Sequence, residues 1–330
     1  MTNVLRRREV VSLIFIVLLF LVVGIVSPKF LDASNIFDII NGSSIYALLA
    51  VGMAFVLFTR EIDVSVGATM GLAAAVAGTL NNNGVATPVI FLMLLVVGAV
   101  VGMVNAAGVV LFGIPSIVMT LGTMGIIRGI IYVYTDGHWL QNFTPGFLNL
   151  SRMTLFGKLG VTFLAVLVIT ALLYLLTKTT QTGRSFKPVG DNLDGARLIG
   201  IPVGRIKLLA FAISGVLSAI AGLAYATRVA MVTPADGTGY EMTAIAACVI
   251  GGISLVGGEG TPFGAVIGAI LMNSISSILV FLGAPSTLNN TITGTILIAI
   301  VVVGAVTSRR TLERLRRARL LVRVEAIGEG

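Results

Sequence analysis

The sequence has little charge and few of the side chains that build enzyme active sites. Only 11% of its 330 residues are charged, and it holds one histidine and one cysteine. A single cysteine excludes an intrachain disulfide. One histidine and one cysteine together cannot form the usual zinc site. A Ser-His-Asp arrangement would have to use His138, which no nucleophile-elbow pattern accompanies. We therefore expect neither an enzyme active site nor a metal or other cofactor in this chain.

Phosphate-binding loops are missing as well. No Walker A pattern occurs, and the Gly-rich runs at 251–252 and 257–260 lack its lysine. The chain is therefore not expected to hold ATP phosphates in that way. The spans described below also contain no series of acidic residues that would relay protons or hold sodium, which weakens an ion-coupled mechanism.

What the chain has instead is apolar residues, at 56% of the sequence. A soluble domain cannot carry so little charge, so the composition predicts an integral membrane protein. A spanning helix needs roughly 20 apolar residues, and the apolar runs predict an all-α polytopic bundle of about ten such helices. They form one transmembrane domain over 1–330. The predicted spans are 10–26, 36–58, 64–80, 87–112, 115–135, 160–177, 206–230, 241–257, 262–282 and 291–307.

The net charge of +8 is concentrated at a few places along the chain. Cations cluster at 6–8, around 178–207 and in a basic tail, 308–330, where the positive-inside rule puts them in a membrane protein. Topology therefore explains them better than nucleic-acid binding does. The first apolar run lacks a small-x-small cleavage site and is interpreted as an uncleaved span. Both termini and the segment 183–205 are then cytoplasmic.

The segment 183–205 is the one long polar break in the second half of the chain. Asp191 or Asn192 can cap a short helix, to which Leu193, Ala196, Leu198 and Ile199 would give an apolar side. Gly200 stands where a left-handed C-terminal cap belongs, and Pro202 prevents continuation. A short capped helix between two spans on the basic side is suited to press against a soluble partner.

Two further breaks in the apolar pattern have two interpretations each. The charged stretch 60–63, followed by Ser65 and Gly67, is either an ion-paired loop at the inner surface or a conformational hinge. The predicted outward loop 136–159 carries His138 and Trp139. It is either an interfacial aromatic anchor, or an outer gate or docking surface for a delivery protein.

A few polar side chains fall inside the predicted spans. Asn105, Asn273 and Ser274 either bond a neighbouring helix or offer amide and hydroxyl groups to a sugar-like solute. Arg128 either extends toward the outer interface or contacts a polar solute.

There is also a weak internal similarity. Residues 98–102 (GAVVG), followed by Asn105, resemble 264–268 (GAVIG), followed by Asn273. On the predicted topology the two copies run in opposite directions across the membrane. Inverted-topology repeats of this kind are typical of transporters.

Several stretches resemble one protein family over essentially the whole chain. They are 60–67 (REIDVSVG), 183–186 (GRSF), 190–192 (GDN), 195–201 (GARLIGI) and 246–252 (AACVIGG). Together they resemble the permease subunits of bacterial ABC sugar importers, the branched-chain amino acid/ribose-type permease family. The GDN and AACVIGG versions are most similar to permeases of the autoinducer-2 type, with ribose and rhamnose permeases as near neighbours.

The resemblance implies a permease of the bacterial cytoplasmic (inner) membrane that works with partner chains. A second permease, the same or paralogous, would complete a central path. A cytoplasmic ATPase dimer would carry the ATP and Mg²⁺, and a periplasmic or extracellular binding protein would deliver the solute. An ion-coupled secondary transporter and a non-transporting membrane scaffold are the alternatives.

The resemblance and the patterns above give three groups of candidate residues. Those for ATPase coupling are Gly183, Arg184, Gly190, Asp191, Asn192, Ala196, Arg197 and Gly200. Those for the substrate path are Asn105, Asn273, Ser274 and Arg128. Those for a hinge or gate are Arg60, Asp63, Gly67, His138 and Trp139.

Overall fold

The structure, a computed structural model, describes residues 8–155, 157–283, 285, 288, 291–295, 298 and 302. This part of the chain is mostly α-helical. The helices are α1 (Arg8–Val26), α2 (Ala33–Gly42), α3 (Ser44–Phe58), α4 (Val66–Asn82), α5 (Thr87–Val110), α6 (Ser116–Tyr134), α7 (Pro145–Arg152), α8 (Val161–Thr179), α9 (Gln181–Asp191), α10 (Leu193–Leu198), α11 (Val203–Val229), α12 (Tyr240–Ile250) and α13 (Pro262–Phe281), with a short 3-10 helix at Pro28–Leu31.

The structure confirms the predicted fold class, an all-α membrane protein. In the described part of the chain, five helices are long and apolar enough to cross a membrane: α5, α6, α8, α11 and α13. The pair α2–α3 would be the sixth as one bent span. The count of ten and the cytoplasmic placement of both termini remain predictions. The tenth predicted span, 291–307, lies mostly outside the described residues, and the basic tail 308–330 lies entirely outside them.

The second predicted span is bent where α2 meets α3, by 41°. At the bend the hydroxyl of Ser43 donates to the Ile40 carbonyl and that of Ser44 to the Asn41 carbonyl, both at 2.7 Å. Hydroxyls that bond their own helix backbone often bend it. The bend brings the Ile39 carbonyl within 2.7 Å of Asn273 Nδ2 on α13.

The centre of the bundle is built from α3 and α11. Almost every side chain of α3 is buried, and α11 packs against α3, α4 and α5 along its length. Gly98 and Gly102 of α5 face the backbone of α11 at Gly215 and Phe211. Small residues at such crossings let helix backbones approach closely in lipid. These glycines therefore allow α5 and α11 to pack closely at the centre of the bundle.

The predicted outward loop 136–159 has more structure than a loop. It contains α7 and the first strand of a short antiparallel hairpin, β1 (Thr154–Leu155) and β2 (Leu159–Gly160). Phe147 on α7 is fully buried and makes an edge-to-face contact with Phe143. These aromatic rings fasten the segment to the bundle, which the polar composition of the loop did not indicate.

Candidate functional site

The short helix of the 183–205 segment is present as α10, with Asn192 as its N-cap. Asn192 Oδ1 accepts a 2.9 Å hydrogen bond from the Gly195 amide. Gly200 has a left-handed φ of 79° and its amide bonds the Arg197 carbonyl, which ends the helix as expected. Ala196 is 2% exposed and faces the protein. The local sequence pattern therefore predicted this helix correctly.

The predicted apolar side of α10 is partly buried against the protein and partly exposed. Ala196 packs inward, but Leu198 is 88% exposed and Ile199 is 75% exposed. Arg197 is within 4.0 Å of Asp194 in an exposed pair that contributes little stability. The described chain therefore presents two large apolar side chains at the end of a capped helix.

Residues 183–191, the first part of the polar break, belong to a helix, α9. The Thr180 hydroxyl caps it by accepting from the Gly183 amide at 2.9 Å, and Pro188 lies inside the helix. An interior proline costs roughly 3 kcal/mol or more. Burial of Phe186, edge-on to Phe55 of α3, and of Val189 offsets that cost. Tertiary packing thus overrides the local signal.

The remaining candidate coupling residues hold α9 against its neighbours. A Cβ built at Gly190 would collide with the Phe58 carbonyl oxygen, and one at Gly183 with the backbone of α8. Asp191 lies against Gly258 in the loop after α12. Arg184 donates to the carbonyls of Lys178 and Thr179 at the end of α8. Their role in ATPase coupling remains a prediction, to which the structure adds these packing contacts.

The charged stretch 60–63 connects α3 to α4 and contains an ion pair. Glu61 pairs with Lys207, near the start of α11, as the ion-paired interpretation requires. Arg60 has a left-handed φ of 63°, which is uncommon for a residue other than glycine. A role of this stretch as a hinge remains a prediction.

Asp63 is the centre of a buried polar network. It is 1% exposed and accepts hydrogen bonds from the amide and hydroxyl of Ser65, at 3.0 and 2.6 Å, and from Ser214 Oγ at 2.8 Å. Asn105 Nδ2 donates to Ser65 Oγ at 2.8 Å, while Asn105 Oδ1 has no partner. Asn105 therefore bonds a neighbouring segment, as most polar side chains inside a span do.

These contacts show that α4 begins deep inside the bundle. Ser214, which bonds Asp63, lies about 16 Å along an α11 of about 40 Å, at 1.5 Å per residue. The chain enters from the C-terminal end of α3 through 59–65 and becomes helical only at Val66. The third predicted span, 64–80, therefore corresponds to α4, displaced by two residues and preceded by the irregular segment 59–65.

The start of α12 lies beside the start of α4. After α11 ends, Val232 pairs with Leu140, and the chain then continues without helix as far as Gly239. A Cβ built at Gly71 of α4 would lie 2.6 Å from the Asp236 carbonyl, and one at Gly67 would collide with the Gly237 carbonyl. The predicted outward loop 231–240 therefore descends into the bundle.

The eighth predicted span, 241–257, is longer than the helix that the structure has there. Its helix, α12, has 11 residues, and its end is followed by a left-handed glycine, Gly252. Half-helices whose N-termini meet inside a membrane bundle are typical of transporter binding sites, because their positive dipole ends and free amides can face a solute. The starts of α4 and α12 form such a meeting point.

Two side chains near this point, Glu241 and Arg128, carry polar groups that could bind a solute. Glu241 is 8% exposed; its Oε1 accepts from the Gly239 amide at 3.1 Å, whereas its Oε2 has no partner. Gly67 leaves room for that carboxylate, because a Cβ there would collide with Oε2. Arg128 of α6 donates to the carbonyls of Asp236 and Ala235 at 2.6 and 3.3 Å.

The other candidate residues lie elsewhere. Asn273 bonds the α2–α3 bend, and Ser274 Oγ donates to the Ile270 carbonyl of its own helix. His138 and Trp139 are exposed beyond the end of α6. The four candidates for the substrate path are therefore not brought into one cluster, and their contact with solute remains a prediction.

Sequence reasoning missed Glu241 and Ser214. Glu241 had a readable signal, because an acidic residue at the edge of a predicted span is costly and usually functional. Ser214 had none, because its importance depends on Asp63, which is 151 residues away in the chain. In the described part of the chain, no group of three or more histidine, cysteine or acidic side chains could hold a metal ion.

Comparison with known proteins identifies the family. The model of the family described as branched-chain amino acid transport system / permease component matches residues 35–301. The chain is 39% identical, over 90% of its length and 86% of theirs, to proteins named autoinducer 2 import system permease protein LsrC from Escherichia coli O9:H4 (strain HS) and Shigella flexneri. It is 38% identical to the Salmonella typhi protein of that name, over 90% of this chain and 85% of that one. No solved structure matches.

These relatives are permease subunits, so the chain is a transport subunit and not itself an enzyme. It is a multi-pass protein of the bacterial inner membrane. By the match over most of its length, the chain belongs to the family of permease components of branched-chain amino acid transport systems.

Proposed function

We propose that this chain is the membrane-spanning subunit of an ATP-binding-cassette importer and moves a small sugar or sugar-like solute by alternating access. A separate cytoplasmic ATPase dimer supplies the energy. A second permease, identical or paralogous, completes the path, and a periplasmic or extracellular binding protein delivers the solute. The named relatives import autoinducer 2, and they support a solute of the autoinducer-2, rhamnose or pentose class.

The observation that carries this proposal is the exposed end of α10. Leu198 and Ile199 are large apolar side chains that nothing in the described chain covers. The basic charge around them favours the cytoplasmic side, where water rather than lipid would meet them. A soluble partner that buries them gains roughly 1.5–3 kcal/mol for each side chain. The proposed partner is the ATPase.

The packing of α9 supplies a route from α10 to the membrane interior. α9 contacts the end of α3 at Phe58 and the loop after α12 at Gly258. The first contact leads directly into 59–65 and the start of α4, and the second leads into the end of α12. A push on α10 would therefore reach both helices that begin inside the bundle.

The arrangement of helices also supports an inverted repeat. α3 and α4 are joined by an irregular segment that enters from the inner end of α3, and α11 and α12 by one that enters from the opposite end. The matching sequences at 98–102 and 264–268 fall on the next helix of each set, α5 and α13. On the predicted topology, the two sets have the same order of elements in opposite orientation.

The test uses substitutions in α10 of the complex assembled with its cognate ATPase and binding protein. Ala196→Pro removes the Ala196 amide that bonds the Asn192 carbonyl and breaks the helix. Leu193→Pro is the matched control, because proline is tolerated at the first helical position. Leu198→Asp changes only the exposed surface. We expect Ala196→Pro and Leu198→Asp to abolish solute-stimulated ATP hydrolysis and uptake, and Leu193→Pro to retain most of both.

Wild-type hydrolysis and uptake in Leu198→Asp would overturn the proposal that α10 contacts the ATPase. The alternative, an ion-coupled secondary transporter, is favoured by the predicted inverted repeat and by Asp63 and Glu241, two buried carboxyl groups of the described chain. Purified chain reconstituted alone with an ion gradient would then accumulate solute without any ATPase. The importer proposal expects no accumulation under those conditions.

A further inference from the structure

The segment 233–239 is irregular and carries exposed residues at a depth where lipid would not tolerate exposed irregular backbone. It lies beside Gly67 and Gly71 of α4, yet Ala235 and Thr238 are exposed on the surface of the described chain. In hydrocarbon, each unbonded peptide group costs several kcal/mol, so irregular backbone occurs at this depth only where it is covered by protein or lines a water-filled cavity. The face that carries this segment is therefore not a lipid face.

Arg128 gives an independent indication on the same face. It lies about 18 Å along α6, at 1.5 Å per residue, is only partly buried, and bonds the carbonyls of 235–236. Charged side chains at such depth face the bundle interior or water. Gly125, one turn earlier on this side of α6, has no other part of the described chain within 4 Å of its Cβ position.

Glu241 Oε2 supplies the second half of a binding site. It is a buried acceptor with no hydrogen-bond donor, at the amide end of α12. The Glu241 carboxylate also interacts electrostatically with the Arg128 guanidinium. Leaving a buried charged acceptor unbonded costs more than 1–3 kcal/mol, and a hydroxyl group of a solute would remove that cost.

We infer, on the basis of the proposed function, that Glu241 and Arg128 form the solute-binding site of the transport path, open toward α6 and 235–243. Glu241 accepts a solute hydroxyl, and Arg128 donates to a solute oxygen. Because the guanidinium of Arg128 and the carboxylate of Glu241 offset each other's charge, the site favours neither an anion nor an ammonium group. The ligand class is therefore an uncharged polyhydroxylated solute.

The first test measures whether this face meets water. In the full chain carrying Cys248→Ala, single cysteines replace Gly125 and Thr238 on the proposed path. Cysteines at Val96 and Leu172, which are 62% and 61% exposed on α5 and α8, serve as lipid-facing controls. N-ethylmaleimide reacts with the thiolate, which forms in water. We expect at least tenfold faster labelling at the path positions, and equal rates in the two sets would overturn the site.

The second test measures solute chemistry in the assembled importer. Autoinducer 2, D-ribose, L-rhamnose and D-xylose are compared with D-ribose 5-phosphate and D-glucosamine as stimulators of ATP hydrolysis. At least one uncharged solute should stimulate, and neither charged one should. Stimulation by a charged sugar, or by none of the uncharged ones, would overturn the ligand class.

The third test uses Glu241→Gln, which keeps the shape and the acceptor for the Gly239 amide. Its matched control is Asp38→Asn, a change at an exposed carboxylate of α2. We expect Glu241→Gln to lower solute uptake at least tenfold with the thermal midpoint and the amount of assembled complex unchanged, and Asp38→Asn to transport normally. Wild-type uptake by Glu241→Gln would overturn the role of Glu241.

These tests separate the site from the proposed function. Slow labelling at Gly125→Cys and Thr238→Cys in a complex that still takes up solute with ATP would reject the site alone. Fast labelling together with normal uptake by Leu198→Asp would reject the ATPase contact at α10 and retain the water-lined face.

Discussion

Asp63 illustrates, at the scale of one residue, how a membrane bundle keeps a buried carboxylate. No basic side chain bonds it in the described structure; instead Ser65 and Ser214 supply two hydroxyls and an amide. Hydrogen bonds to a charged acceptor contribute about 1.5–3 kcal/mol each, which offsets part of the cost of burial. The network ties the start of α4 to α11, so a buried carboxyl group serves as a structural connector.

This arrangement predicts that Asp63→Asn destabilises the protein. The amide group brings its own donors to a position surrounded by donors, so at least one buried hydroxyl loses its acceptor, at about 1–3 kcal/mol. A lower thermal midpoint of the full chain in detergent or nanodiscs would show it. Asp38→Asn, at an exposed position, should leave the midpoint unchanged, and equal midpoints for both variants would contradict the role of Asp63.

At the scale of elements, α9 joins the basic segment to the bundle through backbone contacts. Gly190 lies so close to Phe58 and Gly258 that a side chain there has no room. Both neighbours are backbone groups, which cannot rotate away as a flexible side chain would. The position of α10 relative to the membrane helices is therefore set by a glycine on the preceding helix.

Gly190→Ala should accordingly displace α9 from α3. The added methyl group overpacks the contact, at about 1–3 kcal/mol. We expect a lower thermal midpoint and faster proteolysis within 181–202. Gly146→Ala on α7 is the control, since its Cβ position has no neighbour within 4 Å. An unchanged protease pattern in Gly190→Ala would show that α9 can shift without consequence.

At the scale of the whole molecule, the predicted topology places α10 and the segment at Trp139 on opposite sides of the membrane. α8 is the spanning helix between them, and the cations around α10 mark the inner side. Lipid-embedded chains rarely reverse such a bias, because each cation in a translocated short loop opposes insertion. The side on which α10 lies decides whether it can meet a cytoplasmic ATPase.

Asp194→Cys and Trp139→Cys in a Cys248→Ala chain test this orientation. Both positions are exposed. With a membrane-impermeant thiol reagent, Asp194→Cys should label only in inside-out vesicles and Trp139→Cys only in right-side-out vesicles. Labelling of both positions from the same side would refute the predicted topology and, with it, the proposed role of α10.

The sequence by itself determined the membrane class, the permease family and the cap and end of α10. Each depends on composition or on residues close together in the chain, such as Asn192 and Gly195, so no distant contact is needed to see it. The apolar runs also located the five long apolar helices of the described chain, because the thickness of a bilayer sets the length of a spanning helix.

Only the tertiary structure decided which helices begin inside the bundle and which polar groups meet there. The 59–65 and 233–239 segments resemble surface loops locally, and Pro188 and the glycines of α9 resemble an irregular break. Burial of Phe186, the Asp63–Ser214 bond and the approach of Gly67 to Glu241 override those signals. All three join residues far apart in the chain, and their energies exist only once the helices have packed.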